Sequence, residues 1–168
     1  MSACIFGHAN MPFEPILSRH RDVMSSPADN YKGFTDLATA QVEGTDYRVH
    51  VRANAGSTVA VIAPHGGSIE QYTSDVARDV AGADFNLYIF EGIRHAGNYS
   101  ALHLTSHRFD EPRCLELLSS CDHVVALHGC AGDVQQALVG GLDEPLKAAV
   151  AKTIADLGID TRLRGHQF

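Results

Sequence analysis

Ser57-Thr58-Val59-Ala60-Val61-Ile62-Ala63-Pro64-His65-Gly66-Gly67-Ser68-Ile69-Glu70 is the stretch on which the fold turns. An apolar run enters it, as a buried strand would, and a helix-like spacing leaves it. Between the two, a pair of glycines frees the backbone for a tight turn. A histidine stands just before the turn and a carboxylate one helical turn later. That arrangement suits a metal site or acyl transfer.

Downstream, Ile69, Tyr72, Val76 and Val80 fall at i, i+3, i+7 and i+11. This spacing predicts a helix over 68–81 with those four on one face, Ser68 as its N-cap and Glu70 in its first turn. Gly82 stops it, and Phe85 to Phe90 predicts the next strand. Strand, helix, strand in close succession makes 58–63 and 85–90 parallel. Upstream, Tyr47, Val49 and Val51 alternate as in a half-buried strand. Asn54-Ala55-Gly56 then predicts a hairpin pairing 47–52 with 57–63. Tyr31, Phe34, Leu37 and Ala38 suggest a short helix.

Glu91 to Glu111 is a long aperiodic connection, of the kind that is usually functional in compact domains. A helix from Glu111-Pro112 to about Ser119 follows. Asp122 to Leu127 is expected to be a third parallel strand, 129–141 a glycine-rich loop, and 142–157 an amphipathic helix presenting Leu146, Val150, Ile154 and Leu157. Ile159 to Leu163 closes as a short strand. Residues 1–29 hold Pro12, Pro15 and Pro27 and little periodicity. They are expected to be an N-terminal extension, loosely ordered or packed as an arm, with 30–168 as the domain.

The alternation implies an α/β fold, a mainly parallel sheet with helices on both faces. Such sheets bind ligands beyond the carboxyl ends of their strands. Three candidate strands end at His65, at Glu91–His95 and at His128, and parallel strands bring these ends to one edge.

With 168 residues the chain is expected to be one domain. A net charge of −7 with no offsetting basic cluster excludes a nucleic-acid-binding role and gives no attraction to anionic membranes. No run of about 18 apolar residues is present to span a bilayer. The first 17 residues lack a basic start and a continuous apolar core, so a cytoplasmic chain without a signal peptide is expected. Cys4, Cys114, Cys121 and Cys130 fit neither a paired zinc motif nor a disulfide framework, which predicts free thiols, Cys130 a buried one.

Two histidines and a carboxylate with an open fourth position form a common catalytic zinc set. His65 and Glu70 flank the glycine turn, and Leu127-His128-Gly129 repeats the pattern of apolar strand, His, Gly. Zinc ligation by His65, Glu70 and His128 follows, against the plainer reading that Glu70 complements the helix dipole while the histidines cap strand ends. The loop Leu102 to Asp110 concentrates donors. His103, Thr105, Ser106 and His107 are expected to form a substrate wall, with Arg94 or Arg108 holding a carboxylate. His95 and His123 read as structural or surface residues. A serine-esterase reading of His65-Gly66-Gly67 lacks its GxSxG elbow.

Several motifs in order carry a family resemblance. They are Tyr31-Lys32-Gly33-Phe34 with Asp46-Tyr47; Ala63-Pro64-His65-Gly66-Gly67-Ser68-Ile69-Glu70; Tyr88-Ile89-Phe90-Glu91-Gly92; Leu102-His103-Leu104-Thr105-Ser106 with Phe109-Asp110-Glu111-Pro112; and Leu127-His128-Gly129-Cys130. From about Tyr31 to Leu163 the chain resembles the poly-γ-glutamate hydrolases, phage-associated proteins also found in bacterial genomes. The resemblance implies a three-layer sandwich with a mixed, mainly parallel sheet, similar to zinc carboxypeptidases. It implies one zinc ion on His65, Glu70 and His128, and hydrolysis of γ-glutamyl amide bonds in poly-γ-glutamate or a related glutamyl substrate. It also implies a further segment ending in a Gly-Val-Gln-Leu-Glu-Leu-like strand, whose glutamate resembles the general base of carboxypeptidases. The sequence ends at Arg164-Gly165-His166-Gln167-Phe168 without that segment. Glu91, Glu111 and His103 are then the candidate bases. A metal-binding or interaction module without catalysis, and a small-molecule deacylase, are the alternative readings.

Overall fold

A computed structural model describes residues 29–132 and 134–165, together with the backbone of 2–9. Strands β1 (Ser2–Ala9), β2 (Tyr47–Arg52), β3 (Val59–Gly67), β4 (Asn86–Gly92), β5 (His123–Cys130), β6 (Gln136–Gly141) and β7 (Asp160–Leu163) form one sheet in the order β2-β4-β3-β5-β1-β6-β7. The pairs β3–β4, β3–β5, β1–β6 and β6–β7 are parallel, while β2–β4 and β1–β5 are antiparallel. The helices are α1 (Phe34–Leu37), α2 (Thr73–Ala81), α3 (Asn98–Leu102), α4 (Pro112–Leu118) and α5 (Glu144–Asp156). One core cluster joins Leu37 of α1, Leu102 of α3 and Cys114 and Leu117 of α4 to Ala60, Ile62, Tyr88 and Phe90 of the sheet. A second joins Ala77 and Ala81 of α2 to Val61, Ala63, Leu87, Ile89 and Leu127. Residues alternating along β3 and β4 thus feed opposite faces, which makes the three-layer, mainly parallel α/β sandwich expected above.

Four local expectations are corrected. The first concerns α2, which starts at Thr73, not at 68, and buries Thr73, Ser74, Ala77 and Ala81. Of the face expected to be buried, only Ile69 is; Tyr72, Val76 and Val80 are 55%, 41% and 48% exposed. Both stripes have helical spacing, and a close helix–sheet approach selects the one with small side chains. A Cβ on Gly66 would stand 2.4 Å from Ser74 Oγ. The second is the hairpin: β2 pairs with β4 instead of β3. Asn54 still makes the turn, but its amide bonds the carbonyls of Ala83 and Asp84. The third is the expected loop 129–141, which contains β6. Its Gln136-Ala137-Leu138-Val139 run is apolar enough for a central strand.

The fourth is the N-terminal extension. Residues 2–9 form β1 within the sheet, paired antiparallel with β5 and parallel with β6. The sheet therefore draws on a stretch expected to lie outside the domain; the remainder, 10–28, lies outside the described residues. The thiol expectation also fails at one position. Cys114 and Cys121 are free, whereas Cys130 is disulfide-bonded.

Among the described residues no helix is long and apolar enough to cross a membrane. The glycine turn is held tightly. Gly67 has φ +63, and a Cβ there would lie 2.6 Å from the Gly92 carbonyl oxygen. Gly67→Ala is expected to cost at least about 1–2 kcal/mol from the left-handed backbone alone, before the clash. A lowered urea midpoint with unchanged slope would show it.

Candidate metal centre

The carboxyl ends of β3, β4 and β5 meet at one edge because these strands are parallel. In β3 the register against β4 shifts between Ala63 and Gly66. Such an irregularity re-aims a side chain. Val61 and Ala63 belong to the cluster under α2, and strict alternation would send His65 after them. Instead His65 lies against Leu104 and Phe109, on the opposite face. The next turn is closed by the Glu70 N–H donating to the His65 carbonyl (2.9 Å), and Thr73 Oγ1 donates to the same carbonyl (3.1 Å). This folds the Glu70 side chain back over His65.

His65, Glu70 and His128 converge, each offering one ligand atom, all within 4.8 Å of one another. His65 Nδ1 lies 3.0 Å from Glu70 Oε1 and 3.0 Å from His128 Nδ1, and His128 Nδ1 lies 3.4 Å from Glu70 Oε2. Ligand atoms around a tetrahedral zinc with bonds of about 2.0–2.1 Å stand roughly 3.3 Å apart, so the donor set fits. The outer atoms are held as well. A carbonyl only accepts, so the Leu104 oxygen 2.7 Å from His65 Nε2 needs a proton on Nε2, and Nδ1 is the nitrogen turned toward Glu70 and His128. Ser106 Oγ lies 3.3 Å from His128 Nε2. Gly129 N–H donates to Glu70 Oε2 at 2.8 Å. Burial pushes the Glu70 carboxyl up, but hydrogen bonds and charge from His128 and His65 outweigh it and hold it at about 2.

The expected substrate wall is only partly at this edge. His103 lies against His65 with ring centroids 4.2 Å apart and a 32° tilt, and Tyr99 stacks on His103 at 4.6 Å. Burial and the neighbouring His65 push the His103 imidazole below its ordinary value. Thr105 and Ser106 lead into a single 3₁₀ turn, Ser106–Arg108, where His107 and Arg108 are exposed. Arg94 is committed elsewhere: its Nη1 donates to Asp46 Oδ1 (2.7 Å) and Gln41 Oε1 (2.8 Å). His95 is exposed, and His123 bonds Asp143, the N-cap of α5, at 2.9 Å.

Of the candidate bases, Glu111 is buried as the N-cap of α4, accepting from the Cys114 N–H (3.0 Å) and Arg113 Nε (2.7 Å). Glu91 bridges Arg78 (3.0 Å) and His50 (2.9 Å) beside α2. Both carboxylates are thus occupied as structural acceptors, and His103 alone of the three touches a ligand. Burial works to raise the Glu91 carboxyl, but Arg78, Ser74 and His50 hold it below its ordinary range. A carboxyl depressed on folding stabilises above its unfolded value near 4.5, and that stability is lost as pH falls below it. The wild-type chain is therefore expected to melt above Glu91→Gln at neutral pH, by about 1 kcal/mol for a partly exposed bridge. The gap should narrow steadily below pH 4.5 in paired thermal melts.

Three participants escaped the reading of the sequence: Asp29, the Leu104 carbonyl and the Gly129 N–H. Two are backbone groups, which no residue type announces. Asp29 stands just ahead of Tyr31-Lys32-Gly33-Phe34, and only its side-chain contacts reveal its place.

The family model for poly-gamma-glutamate hydrolase matches residues 31–167. The UPF0714 protein YndL of Bacillus subtilis (strain 168) is 40% identical over 148 residues, 88% of this chain and 55% of that protein. The SPbeta prophage-derived UPF0714 protein YoqZ of the same strain is 37% identical over 136 residues, 81% of this chain and 48% of that protein. The chain thus spans about half the length of these curated relatives. The zinc-free apo form of YNDL superposes with a TM-score of 0.78 at 38% identity, covering 84% of this chain and 68% of that one. A bacteriophage poly-gamma-glutamate hydrolase superposes with a TM-score of 0.70 at 27% identity over the same shares. On these matches the chain belongs to the poly-gamma-glutamate hydrolase family, with its zinc carboxypeptidase-like fold.

Proposed function

We propose that the protein is a zinc-dependent amidohydrolase that cleaves γ-glutamyl amide bonds of poly-γ-glutamate or a related glutamyl substrate. The observation that carries this reading is the convergence of two imidazole Nδ1 atoms and one carboxylate, each side chain backed by an outer partner. His65, Glu70 and His128 would hold one zinc ion. When bound there, zinc lowers the pKa of water and polarises a carbonyl. Glu70, already ionised, needs no proton removed before it serves. His103, Thr105, Ser106 and His107 line the approach in this reading. Arg108, half-exposed and paired only loosely with Asp29 at 3.7 Å, is a better match for a substrate carboxylate than Arg94, which Asp46 holds at 2.7 Å. Family membership and the phage hydrolase neighbour support the hydrolase class and the glutamyl polymer as substrate.

The test is depolymerisation. Zinc-loaded protein should shorten poly-γ-glutamate on size-exclusion chromatography and release amines, lose both effects to a chelator, and regain them with zinc. Stoichiometric zinc with intact polymer and intact amide substrates would instead favour a metal-binding module. Cleavage of small acyl amides but not polymer would favour a deacylase.

A further inference from the structure

Asp29 touches no proposed ligand, yet its side chain is only 1% exposed. Its Oδ2 accepts the Thr105 N–H at 2.9 Å, its Oδ1 lies 3.1 Å from His103 Nδ1, and Arg108 Nη1 approaches to 3.7 Å. Every one of these partners lies in a single loop, 103–108. That loop supplies the Leu104 carbonyl to His65 Nε2 and the Ser106 hydroxyl to His128 Nε2, on either side of Thr105. A chain of contacts therefore runs from one buried carboxylate, through one loop, to the outer nitrogens of both histidines. We propose that Asp29 is a positioning residue for the metal centre: it pins loop 103–106 so that Leu104 and Ser106 fix the ring orientation of His65 and His128.

The chemistry favours a carboxylate here. An ionised carboxylate accepts two bonds at once and makes charge-assisted ones. Hydrogen bonds from Thr105 and His103 and the charge of His103 hold Asp29 below its ordinary range against the opposing effect of burial. Without it the Thr105 N–H and His103 Nδ1 both lose their partner, and the segment between them carries the Leu104 carbonyl. The N-terminal stretch meets the site from a second direction too, since β1 pairs Cys4 with His128 and Ala3 with Gly129. The stretch expected to be an N-terminal extension thus meets the centre at two points, β1 and Asp29.

The inference rests on the zinc reading, and the test separates the two. Zinc affinity is measured by competition with a chromophoric chelator for the full chain, Asp29→Ala and Asp29→Asn, beside circular dichroism of the metal-free proteins. If the parent chain takes up no zinc, the zinc reading fails. If the parent binds, Asp29→Ala is expected to weaken zinc about 10–100-fold, the range for loss of an outer-shell partner. Asp29→Asn, which keeps the shape and one acceptor oxygen, should fall between the two. Nitrogen-15 imidazole spectra of the metal-free chain should show a hydrogen-bonded proton on His65 Nε2, and that signal should weaken in the variants. Folded Asp29→Ala with affinity within twofold of the parent and an unchanged His65 Nε2–H signal would overturn the proposal. Should Asp29→Ala not fold, the same two results in Asp29→Asn decide it.

Discussion

Replacing His65 or His128 with alanine is expected to abolish stoichiometric zinc binding, each by more than the roughly 10–100-fold that loss of an outer-shell partner costs. Both rings present Nδ1 to the same point, 3.0 Å apart, and Glu70 supplies the third donor. Removing one leaves two ligands, fewer than the three that catalytic zinc sites use. The variants should remain folded. Both rings sit at the edge where strands end, and the carbonyl freed at Leu104 can be reached by water once the His65 ring is gone. Metal analysis after gel filtration reads the result directly. Full zinc content in both variants would remove His65 and His128 from the ligand set, and with them the proposed zinc site.

The largest effect on stability is expected at Phe90. Its side chain is fully buried, stacked on Tyr47 with centroids 4.9 Å apart and edge-on to Phe34 (6.3 Å) and Phe109 (5.6 Å). Phe90→Ala should cost about 3–5 kcal/mol, combining lost transfer energy with a cavity in an aromatic cluster that cannot fully collapse. At about 2–4 °C per kcal/mol for a chain of this size, the melting midpoint should fall by roughly 10 °C. Phe109 also lies edge-on to His65 at 6.5 Å, so this cluster is the floor of the metal edge. A loss under 1 kcal/mol by urea titration would mean that the aromatic packing described here is not that of the native core.

The strand–turn–helix around His65 was legible because each part has its own physical signature. Apolar β-branched residues make the strand, two glycines the turn, and the repeat at Leu127-His128-Gly129 names the partner. Parallel pairing of β3, β4 and β5 then brings their ends together, as the alternation implied. The face of α2 was not legible. Val76 and Val80 outrank Ala77 and Ala81 in hydrophobicity, while the sheet selects for closeness of approach. Nor was β1, since its insertion between β5 and β6 depends on a pairing far along the chain. The carboxylates Glu91 and Glu111 looked available because a sequence shows a side chain's chemistry and not its partners. Arg78, His50 and Arg113 occupy them.

The central claim is that one zinc ion is held by His65, Glu70 and His128. An anomalous-difference map at the zinc edge, from a crystal of zinc-loaded protein, tests it most directly. One peak is expected, bonded to Nδ1 of His65, Nδ1 of His128 and the Glu70 carboxylate, with zinc–nitrogen distances of about 2.0–2.1 Å. A peak at other side chains, or none at this edge in protein that carries stoichiometric zinc, would contradict it.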